Sequence, residues 1–349
     1  MKVAIIGDLH WGTRGGDPVF MDFQMNYFER FIDAAKKREV EQVIQVGDWL
    51  DVRKNTNNLL IHKLCVTVPH LIKRSGMKWI KVRGNHECFY RDDNVIGADM
   101  LLHELSDVVV VSEFYEEGDF AFCAWMNKNN SEHLLSELAK SKAKYCFGHF
   151  EPAGFPMYKN TPLSTHGISI DVLSKFELVF SGHYHTVSRQ KNFQMVGSPY
   201  HLTWADYPDG TNRGWFLLDT ETGEYEMIQN EESDSLFDAF YYDPQTEYKE
   251  NTLKKYEGKI VRVVVESKPD PKHFKKFKSV LDTTKFIDYG IIDLTVAENK
   301  QVKIDAKALE VDTLSVLTNY IHSQEMDGLD KDAVSALSSD IYNRAQVGQ

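Results

Sequence analysis

Three short apolar runs that stop at polar clusters constrain the fold of this chain more than any other feature. Lys2–Ile6, Gln42–Val46 and Trp79–Val82 are rich in apolar and β-branched residues. Each run is followed within a few positions by a glycine-containing polar cluster, GDLH, GDWLD or GNHE. Buried parallel strands have this composition, and their functional groups lie on the loops at their carboxyl ends. The pattern predicts parallel strands with a site along one sheet edge.

The rest of the N-terminal region continues this alternation of strands and helices. Aromatic residues at helical spacing predict a crossover helix between the first two strands; they are Phe20, Phe23, Tyr27 and Phe31. Further strands are predicted over Asp107–Phe114, Asp119–Trp125, Lys144–Phe150, Leu178–Phe180, Met195–Ser198 and Trp215–Asp219. Two of these again end in polar clusters, GHFE and GHYH. An α/β fold follows from this order of elements.

The chain changes character near residue 230. Asp219–Glu250 holds eleven acids and one base, and its strand signals are weak, so residues 230–250 are predicted to be a linker. Two β-rich runs, Ile260–Val265 and Ile291–Val296, then flank a basic helical segment. The helical segment lies around Phe274 and Phe277, and the wider stretch Lys254–Lys278 holds nine bases and three acids. A small α+β module is therefore expected after the linker.

Two apolar stripes at helical spacing predict two short amphipathic helices at the end of the chain. The stripes are Leu314, Leu317 and Ile321, and Val334, Leu337 and Ile341. The predicted domains are residues 1–229, which carry the polar clusters, residues 230–304, which form the linker and small module, and residues 305–349, which form a helical tail.

Composition excludes several classes of protein. Forty Lys plus Arg against fifty-two Asp plus Glu give a net charge of -12, which argues against bulk electrostatic binding of nucleic acid. The four cysteines form no CxxC pair, so neither a dense disulfide framework nor thiolate-bound zinc is expected. The N-terminal run is too short for a signal peptide or a membrane span. We expect a soluble cytoplasmic protein.

Five clusters of oxygen and nitrogen ligands predict a metal site. Their side chains suit Mn²⁺, Mg²⁺, Fe²⁺ or Zn²⁺; they are Asp8 and His10, Asp48, Asn85 and His86, His149, and His183 with His185. Residues two apart in an extended segment point the same way, so the DxH and HxH pairs can each face one ion. A lone Asp or His at a strand end is usually a turn or capping residue. Five such clusters in fixed order favour metal binding over packing alone.

The order DxH, GDxxD, GNHE, GHxx and GHxH resembles the calcineurin-like metallophosphoesterases over residues 1–220. Within that family the chain is similar to the nuclease subunits of double-strand-break repair complexes, whose partner is a coiled-coil ATPase. Its length and small tail resemble those of the recombination endonuclease subunits of tailed bacteriophages. The narrower resemblance rests on the spacing from Asp8 to Asp48 and His86, on the GSP turn at Gly197–Pro199, and on the small module and tail.

The resemblance implies a fold, an activity and roles for residues. The implied fold is an α+β sandwich, a two-sheet core flanked by helices, with a small capping module and a helical tail that binds the ATPase. Two divalent ions, Mn²⁺ or Mg²⁺, are implied: one at Asp8, His10, Asp48 and His185, the other at Asp48, Asn85, His149 and His183. His86 is implied not to be a ligand but to protonate the leaving oxygen or to stabilise the transition state. The implied activities are 3′ to 5′ exonuclease on duplex DNA and endonuclease on single strands.

Several alternatives remain open in the sequence. Arg53 and Lys54 follow GDWLD, where they either contact a phosphodiester backbone or belong to a solvated loop. The basic Lys254–Lys278 segment either contacts DNA or is a solvated face. Two further helices are predicted near Leu59–Lys73 and Ile96–Leu105. Family members form a homodimer within a heterotetramer through the apolar faces of such helices, yet such faces are more often intramolecular core. A phosphatase, a cyclic-nucleotide phosphodiesterase and a non-catalytic scaffold for the ATPase are the rival functions.

Overall fold

The computed structural model describes residues 1–100, 102, 108–249, 251–295, 317–318, 321–322 and 330–347. The chain forms two compact units. The first contains Met1–Leu202 and Asp209–Ser233, and the second contains Thr203–Pro208 and Asp234–Gln349. The domain boundaries at residues 229 and 304 stay predictions. Most of the predicted first tail helix, including Leu314, lies outside the described residues.

The first unit is built from two mixed sheets. Its strands are β1 (Lys2–Ile6), β2 (Gln42–Gln45), β3 (Lys78–Val82), β4 (Cys88–Tyr90), β5 (Asp93–Gly97), β6 (Val108–Val111), β7 (Phe114–Glu117), β8 (Phe120–Cys123), β9 (Tyr145–His149), β10 (Leu178–Gly182), β11 (Ser188–Gln190), β12 (Phe193–Met195), β13 (Gly214–Asp219) and β14 (Tyr225–Gln229). One sheet has the order β14-β13-β1-β2-β3-β6 and the other β11-β12-β10-β9-β8-β7. Strands β4 and β5 form a separate hairpin. The predicted two-sheet core is confirmed.

The structure describes helices in both units. In the described part of the chain they are α1 (Thr13–Gly16), α2 (Pro18–Lys37), α3 (Asn58–His62), α4 (Val68–Ser75) and α5 (Ser131–Lys140) in the first unit, and α6 (Pro271–Thr283) and α7 (Lys331–Val347) in the second. A π-helical turn, Lys63–Thr67, joins α3 to α4. No helix in these described ranges is long and apolar enough to cross a membrane.

The predicted crossover helix is α2. The Asp17 side chain accepts a hydrogen bond from the Phe20 amide at 2.9 Å, and Pro18 occupies the first turn, so the helix begins there. Its aromatic residues are buried against the first sheet: the Phe31 ring lies 5.3 Å from that of Trp215 and 6.1 Å from that of Trp79. This packing fixes the helix across the outer face of β1, β2 and β3.

The main core lies between the two sheets. Alternate residues of β1, such as Val3 and Ile5, point inward and form one buried cluster with Phe147 of β9 and Phe180 of β10. The rings of Phe147 and Phe180 stack at 5.8 Å. Because strands β1, β2, β3, β9 and β10 are pinned by this shared core, the loops at their carboxyl ends have fixed positions.

Three predictions about elements were wrong. The predicted strand Asp107–Phe114 is two strands, because the chain leaves one sheet after β6 and enters the other at β7. The predicted linker contains a strand, β15 (Phe237–Tyr241), which pairs in parallel with β16 (Ile260–Val265). Ile96 was placed in a helix but lies in β5.

The second unit is a small α+β module around β16. Its sheet has the order β15-β16-β17, with β17 at Asp288–Asp293 and all pairs parallel. Helix α6 carries the basic segment, begins at Asp270, which caps the Lys272 amide at 2.8 Å, and buries Phe277 and Leu281. The predicted helical character of that segment is confirmed from residue 271 to residue 283.

Candidate metal centre

The predicted ligands collect at the carboxyl ends of five strands. Asp8 follows β1, Asp48 follows β2 and Asn85 follows β3, all parallel neighbours in the first sheet. His149 ends β9 and His183 follows β10, which are parallel neighbours in the second sheet. All five side chains are buried. The carboxyl ends of strands from both sheets thus meet at one site, whereas the sequence predicted a site along the edge of one sheet.

Donor atoms converge there in three groups within the described residues. In each group the atoms lie within 4.8 Å of one another. The groups are Asp8, His10 and His185; His10, Asp48 and His86; and Asp48, His149 and His183. The shared members link the groups into one continuous centre.

The first half of the centre contains two facing imidazole rings. His10 Nε2 lies 3.2 Å from His185 Nε2. His185 Nε2 lies 3.9 Å from Asp8 Oδ2, and His10 Nε2 lies 3.7 Å from Asp48 Oδ2. Two nitrogen and two carboxylate donors therefore surround one position.

The second half is built around the Asn85 amide oxygen. Asn85 Oδ1 lies 3.0 Å from His149 Nε2 and 3.0 Å from His183 Nδ1. Asp48 Oδ2 lies 3.3 Å from His149 Nε2. Asp48 is within reach of both halves, since the same oxygen lies 3.7 Å from His10 Nε2.

The hydrogen bonds behind the site fix which ring nitrogen faces it. His149 Nδ1 donates to the Val46 carbonyl oxygen at 2.8 Å, so Nε2 carries the lone pair of the neutral ring. That lone pair faces the Asn85 and Asp48 oxygens, which are also electron-pair donors. Two atoms that each offer an electron pair and face each other need a proton or a metal ion between them.

The loops that carry these ligands leave no room for larger residues. A Cβ on Gly47 would lie 2.1 Å from His149 Nδ1, and one on Gly84 would lie 2.3 Å from Asp48 Oδ1. Asp48 itself has a left-handed φ of 50°, and His183 has one of 95°. Non-glycine residues adopt this backbone at a cost, and they do so mainly at functional sites.

The electrostatics of the centre favour cations. Burial lowers the pKa of His149, but the charge of Asp48 and the hydrogen bond to that carboxylate oppose this effect. The pKa of His149 rises to about 9 as a result. Burial likewise lowers the pKa of His10, while the contact with Asp51 and the charges of the other nearby carboxylates raise it to about 9. Burial raises the pKa of Asp48, yet the neighbouring histidines lower it well below its usual range. Ligand carboxylates and imidazoles release these protons when a metal binds.

The donor set fits two divalent ions. Nitrogen and oxygen donors of this kind bind divalent transition metals. Asp8 Oδ1 is buried and has no hydrogen-bond partner among the described residues, which is the state expected of a ligand atom. The first half offers Asp8, His10, Asp48 and His185, and the second offers Asp48, Asn85, His149 and His183.

His86 lies beside both halves. Its backbone amide donates to Asp48 Oδ1 at 2.9 Å, and its ring Nδ1 contacts the carbonyl oxygen of Asp51. Its ring lies edge-on to His10, with 4.7 Å between centroids. Burial lowers the pKa of His86 below 6.5, although the charge of Asp48 opposes this shift.

Arg53 and Lys54 occupy different surroundings. Arg53 Nε donates to the Asn85 carbonyl oxygen at 2.9 Å, which brings its guanidinium close to the centre. Lys54 is exposed, with its ammonium 5.1 Å from the centre of the Phe89 ring. The structure thus places Arg53, and not Lys54, in direct contact with a ligand residue.

Two further residues touch the ligands and were not singled out from the sequence. Asp51 Oδ1 lies 3.3 Å from His10 Nδ1, and the half-buried Trp125 ring lies 4.9 Å from that of His183. Asp51 was available as the second acid of GDWLD. Trp125 had no local signal, because its contact joins distant parts of the chain.

Comparison with known proteins gives a family and two relatives. Residues 1–187 match the calcineurin-like phosphoesterase family. The chain is 28% identical to "Exonuclease subunit 1" of Enterobacteria phage T4 over 355 aligned positions, which cover 99% of each chain. It is 29% identical to "Double-strand break repair protein MRE11" of Encephalitozoon cuniculi over 97 positions, 27% of this chain and 16% of that protein.

Likeness to solved structures is weaker. A dimetal phosphatase from Danio rerio is 13% identical with a TM-score of 0.38, covering 56% of this chain and 85% of that one. The nuclease MPE of Pseudomonas putida is 17% identical with a TM-score of 0.29, covering 56% of this chain and 72% of that one.

Proposed function

Because the chain belongs to the calcineurin-like phosphoesterase family, we propose that it is a two-metal-dependent DNA nuclease that works with an ATPase subunit. One observation carries the proposal: the similarity to the phage exonuclease subunit extends over 99% of both chains. It therefore includes the small module and the tail, which phosphate-ester hydrolysis by the family core does not require. The short match to the double-strand-break repair protein supports the same substrate class.

The ligand set described above is proposed to hold both ions. Two divalent ions in such a site polarise the phosphate, activate water and neutralise developing charge. Mn²⁺ is the proposed ion, since the carboxylate and amide oxygen donors suit it. Asp48 is proposed to bridge the two positions, because the same oxygen faces a ring nitrogen from each half.

His86 is proposed to move the proton that the leaving oxygen needs. Its Nδ1 contacts a carbonyl oxygen and therefore carries a proton, so Nε2 is the atom that exchanges a proton with substrate. The backbone bond to Asp48 holds the ring beside the ligands. Arg53, held at the Asn85 carbonyl, is proposed to contact the phosphodiester backbone, and Lys54 extends the same surface.

The proposed substrates are duplex DNA, degraded from 3′ to 5′, and single-stranded DNA, cut internally. A net charge of -12 makes tight binding of DNA by the isolated chain unfavourable. We therefore expect the ATPase to raise DNA affinity strongly. Some lysines of the basic segment already face acids, as Lys276 faces Glu247 at 3.6 Å, which favours a solvated face for part of that segment.

Residues 305–349 are proposed to dock on the coiled coil of the ATPase, in the cytoplasm, within a heterotetramer that contains two copies of this chain. In helix α7, Leu337 and Ile341 are 59% and 58% exposed and one turn apart. An apolar pair on a helix suits a helix-in-groove or coiled-coil partner. Leu59 and Val66, 43% and 55% exposed, are candidates for the contact between copies.

The docking proposal has a direct test. The variant Leu337→Asp with Ile341→Asp should lose stoichiometric co-purification with the ATPase, while Ala336→Asp, which changes an exposed residue on another side of α7, should keep it. Removal of residues after Lys303 should have the same effect as the double variant. Co-purification that survives both changes would contradict the docking assignment.

The nuclease proposal is tested by cleavage with Mn²⁺ of labelled duplex and single-stranded DNA, with and without the ATPase. We expect both DNA substrates to be cleaved, more strongly with the ATPase, and a small aryl phosphodiester to react poorly. The Asp48→Ala variant controls for contaminating nucleases. Rapid turnover of the small ester with no cleavage of DNA would contradict the proposal and indicate a phosphatase or a cyclic-nucleotide phosphodiesterase.

A further inference from the structure

A single buried carboxylate joins two of the loops that carry the metal ligands. Glu87 is completely buried. Its Oε1 accepts a hydrogen bond from the Leu50 amide at 2.9 Å, and its Oε2 accepts one from the Gly84 amide at 2.7 Å. Leu50 belongs to the loop after β2 and Gly84 to the loop after β3, so this side chain spans the space between them.

These two loops hold the centre of the site. The first carries Asp48, which reaches both halves, and the second carries Asn85 and His86. They lie so close that a Cβ on Gly84 would lie 2.3 Å from both the Asp48 amide nitrogen and Asp48 Oδ1. A small displacement of either loop therefore changes the separation of Asp48 and Asn85.

The charge of Glu87 is balanced inside the protein. Lys81, on β3 and 1% exposed, donates to Glu87 Oε2 at 3.1 Å, to Asp99 Oδ2 at 2.9 Å and to the Val82 carbonyl oxygen at 3.1 Å. Its three ammonium protons are all used. Arg83 Nε donates to Asp99 Oδ1 at 3.0 Å, so the network contains two cations and two anions.

We propose that Glu87 is a positioning residue that sets the spacing of the two ligand loops, with Lys81 as its counter-charge. The assignment rests on the proposed function. Buried ion pairs add little stability compared with apolar residues of the same size, so stability alone does not account for this network. Each carboxylate oxygen of Glu87 instead accepts a hydrogen bond from the amide of a different ligand loop. Asp99 binds only the side chains of Lys81, in β3, and of Arg83, which directly follows β3.

The test compares two variants that each remove one buried charge from this network. Glu87→Gln removes the charge and places an NH₂ group, a hydrogen-bond donor, opposite groups that are themselves donors. The contact between the two loops should therefore loosen. Asp99→Asn removes a charge of the same network but leaves both contacts of Glu87 to the loop amides. Both variants should lower the melting temperature, so stability does not separate them.

The separating measurement is calorimetric titration of the metal-free protein with Mn²⁺. Changes beside metal ligands commonly weaken binding by about 10- to 100-fold, and we expect a loss of that size for Glu87→Gln. Asp99→Asn should bind Mn²⁺ as the wild type does. If Glu87→Gln cannot be purified in folded form, Lys81→Met with Glu87→Gln removes both charges and should fold while binding Mn²⁺ equally weakly.

The outcomes distinguish this assignment from the nuclease proposal. Equal Mn²⁺ affinity of the wild type and the Glu87 variants would overturn the positioning role alone. Equal losses in the Glu87 and Asp99 variants would also overturn it, since the network would then act only through stability. A wild-type protein that binds no Mn²⁺ would overturn the proposed function, and this assignment with it.

Discussion

Asp51 Oδ1 lies 3.3 Å from His10 Nδ1, on the side of the ring that faces away from the other ligands. The nearby carboxylate favours a proton on Nδ1 and leaves Nε2 for a metal. The carbonyl oxygen of the same residue contacts His86 Nδ1. Asp51 therefore orients both a proposed ligand and the proposed proton donor.

Replacing Asp51 should weaken the first metal position. In Asp51→Asn the charge that supports His10 is lost while the size is kept, so we expect Mn²⁺ affinity to fall by about 10- to 100-fold. Calorimetric titration measures the change. Asp33→Asn, an exposed acid on α2, is the matched control. Unchanged affinity in Asp51→Asn would show that His10 needs no such support.

His86→Ala should keep both metals and lose most of the cleavage rate. The ring contributes a proton and not a ligand in the proposed mechanism, and such groups contribute about 10²- to 10⁴-fold in rate. Cleavage, metal content and melting temperature are measured on one preparation. The donor atoms of His86, His10 and Asp48 lie within 4.8 Å of one another, so loss of an ion in this variant would instead identify His86 as a ligand.

Gly47→Ala should damage the site by steric conflict as well as by backbone strain. Its φ is 100°, and the new Cβ would lie 2.1 Å from His149 Nδ1. Gly118→Ala is the control, because Gly118 has a φ of 59° and no atom within 4 Å of its added Cβ. The control should lose roughly 1–2 kcal/mol of stability. Gly47→Ala should lose more and also bind fewer metal ions; equal behaviour of the two would contradict the packing described here.

Asp99 should give the fold a pH-dependent part of its stability. Burial raises the pKa of Asp99, but Lys81 and Arg83 lower it below 3.8. Stability from such a group is fully present above the unfolded pKa and is lost as pH falls through the lower, folded pKa. The melting temperatures of the wild type and Asp99→Asn should therefore differ most above pH 4 and converge below it. A difference that stays constant down to the acid limit would contradict this assignment.

The positions of the proposed ligands followed from the sequence because each one, or the first member of its DxH or HxH pair, stands beside a glycine at the end of an apolar run. The contacts of Glu87 and Trp125 did not follow from the sequence, since they join loops that only the fold brings together. Trp125 meets His183 only because β8 and β10 flank β9 in one sheet. A sequence pattern shows that an acid or a ring is present, and not what it will touch.

The strand β15 was missed for a related reason. Phe237–Tyr241 is a short run inside an acidic stretch, and acids favour a solvated linker in a local interpretation. Its stability comes from β16, a fully buried neighbour with which it pairs in parallel from Phe237–Ile260 to Tyr241–Val264. That partner lies beyond the range of any local pattern.

The central claim is that two metal ions share Asp48, and the metal content of the reconstituted protein tests it most directly. Elemental analysis after incubation with Mn²⁺ and removal of excess metal should give two ions per chain for the wild type. Asp48→Ala should lose both, because Asp48 Oδ2 lies 3.7 Å from His10 Nε2 in the first half and 3.3 Å from His149 Nε2 in the second. One ion or none in the wild type, or two ions retained in Asp48→Ala, would contradict the account.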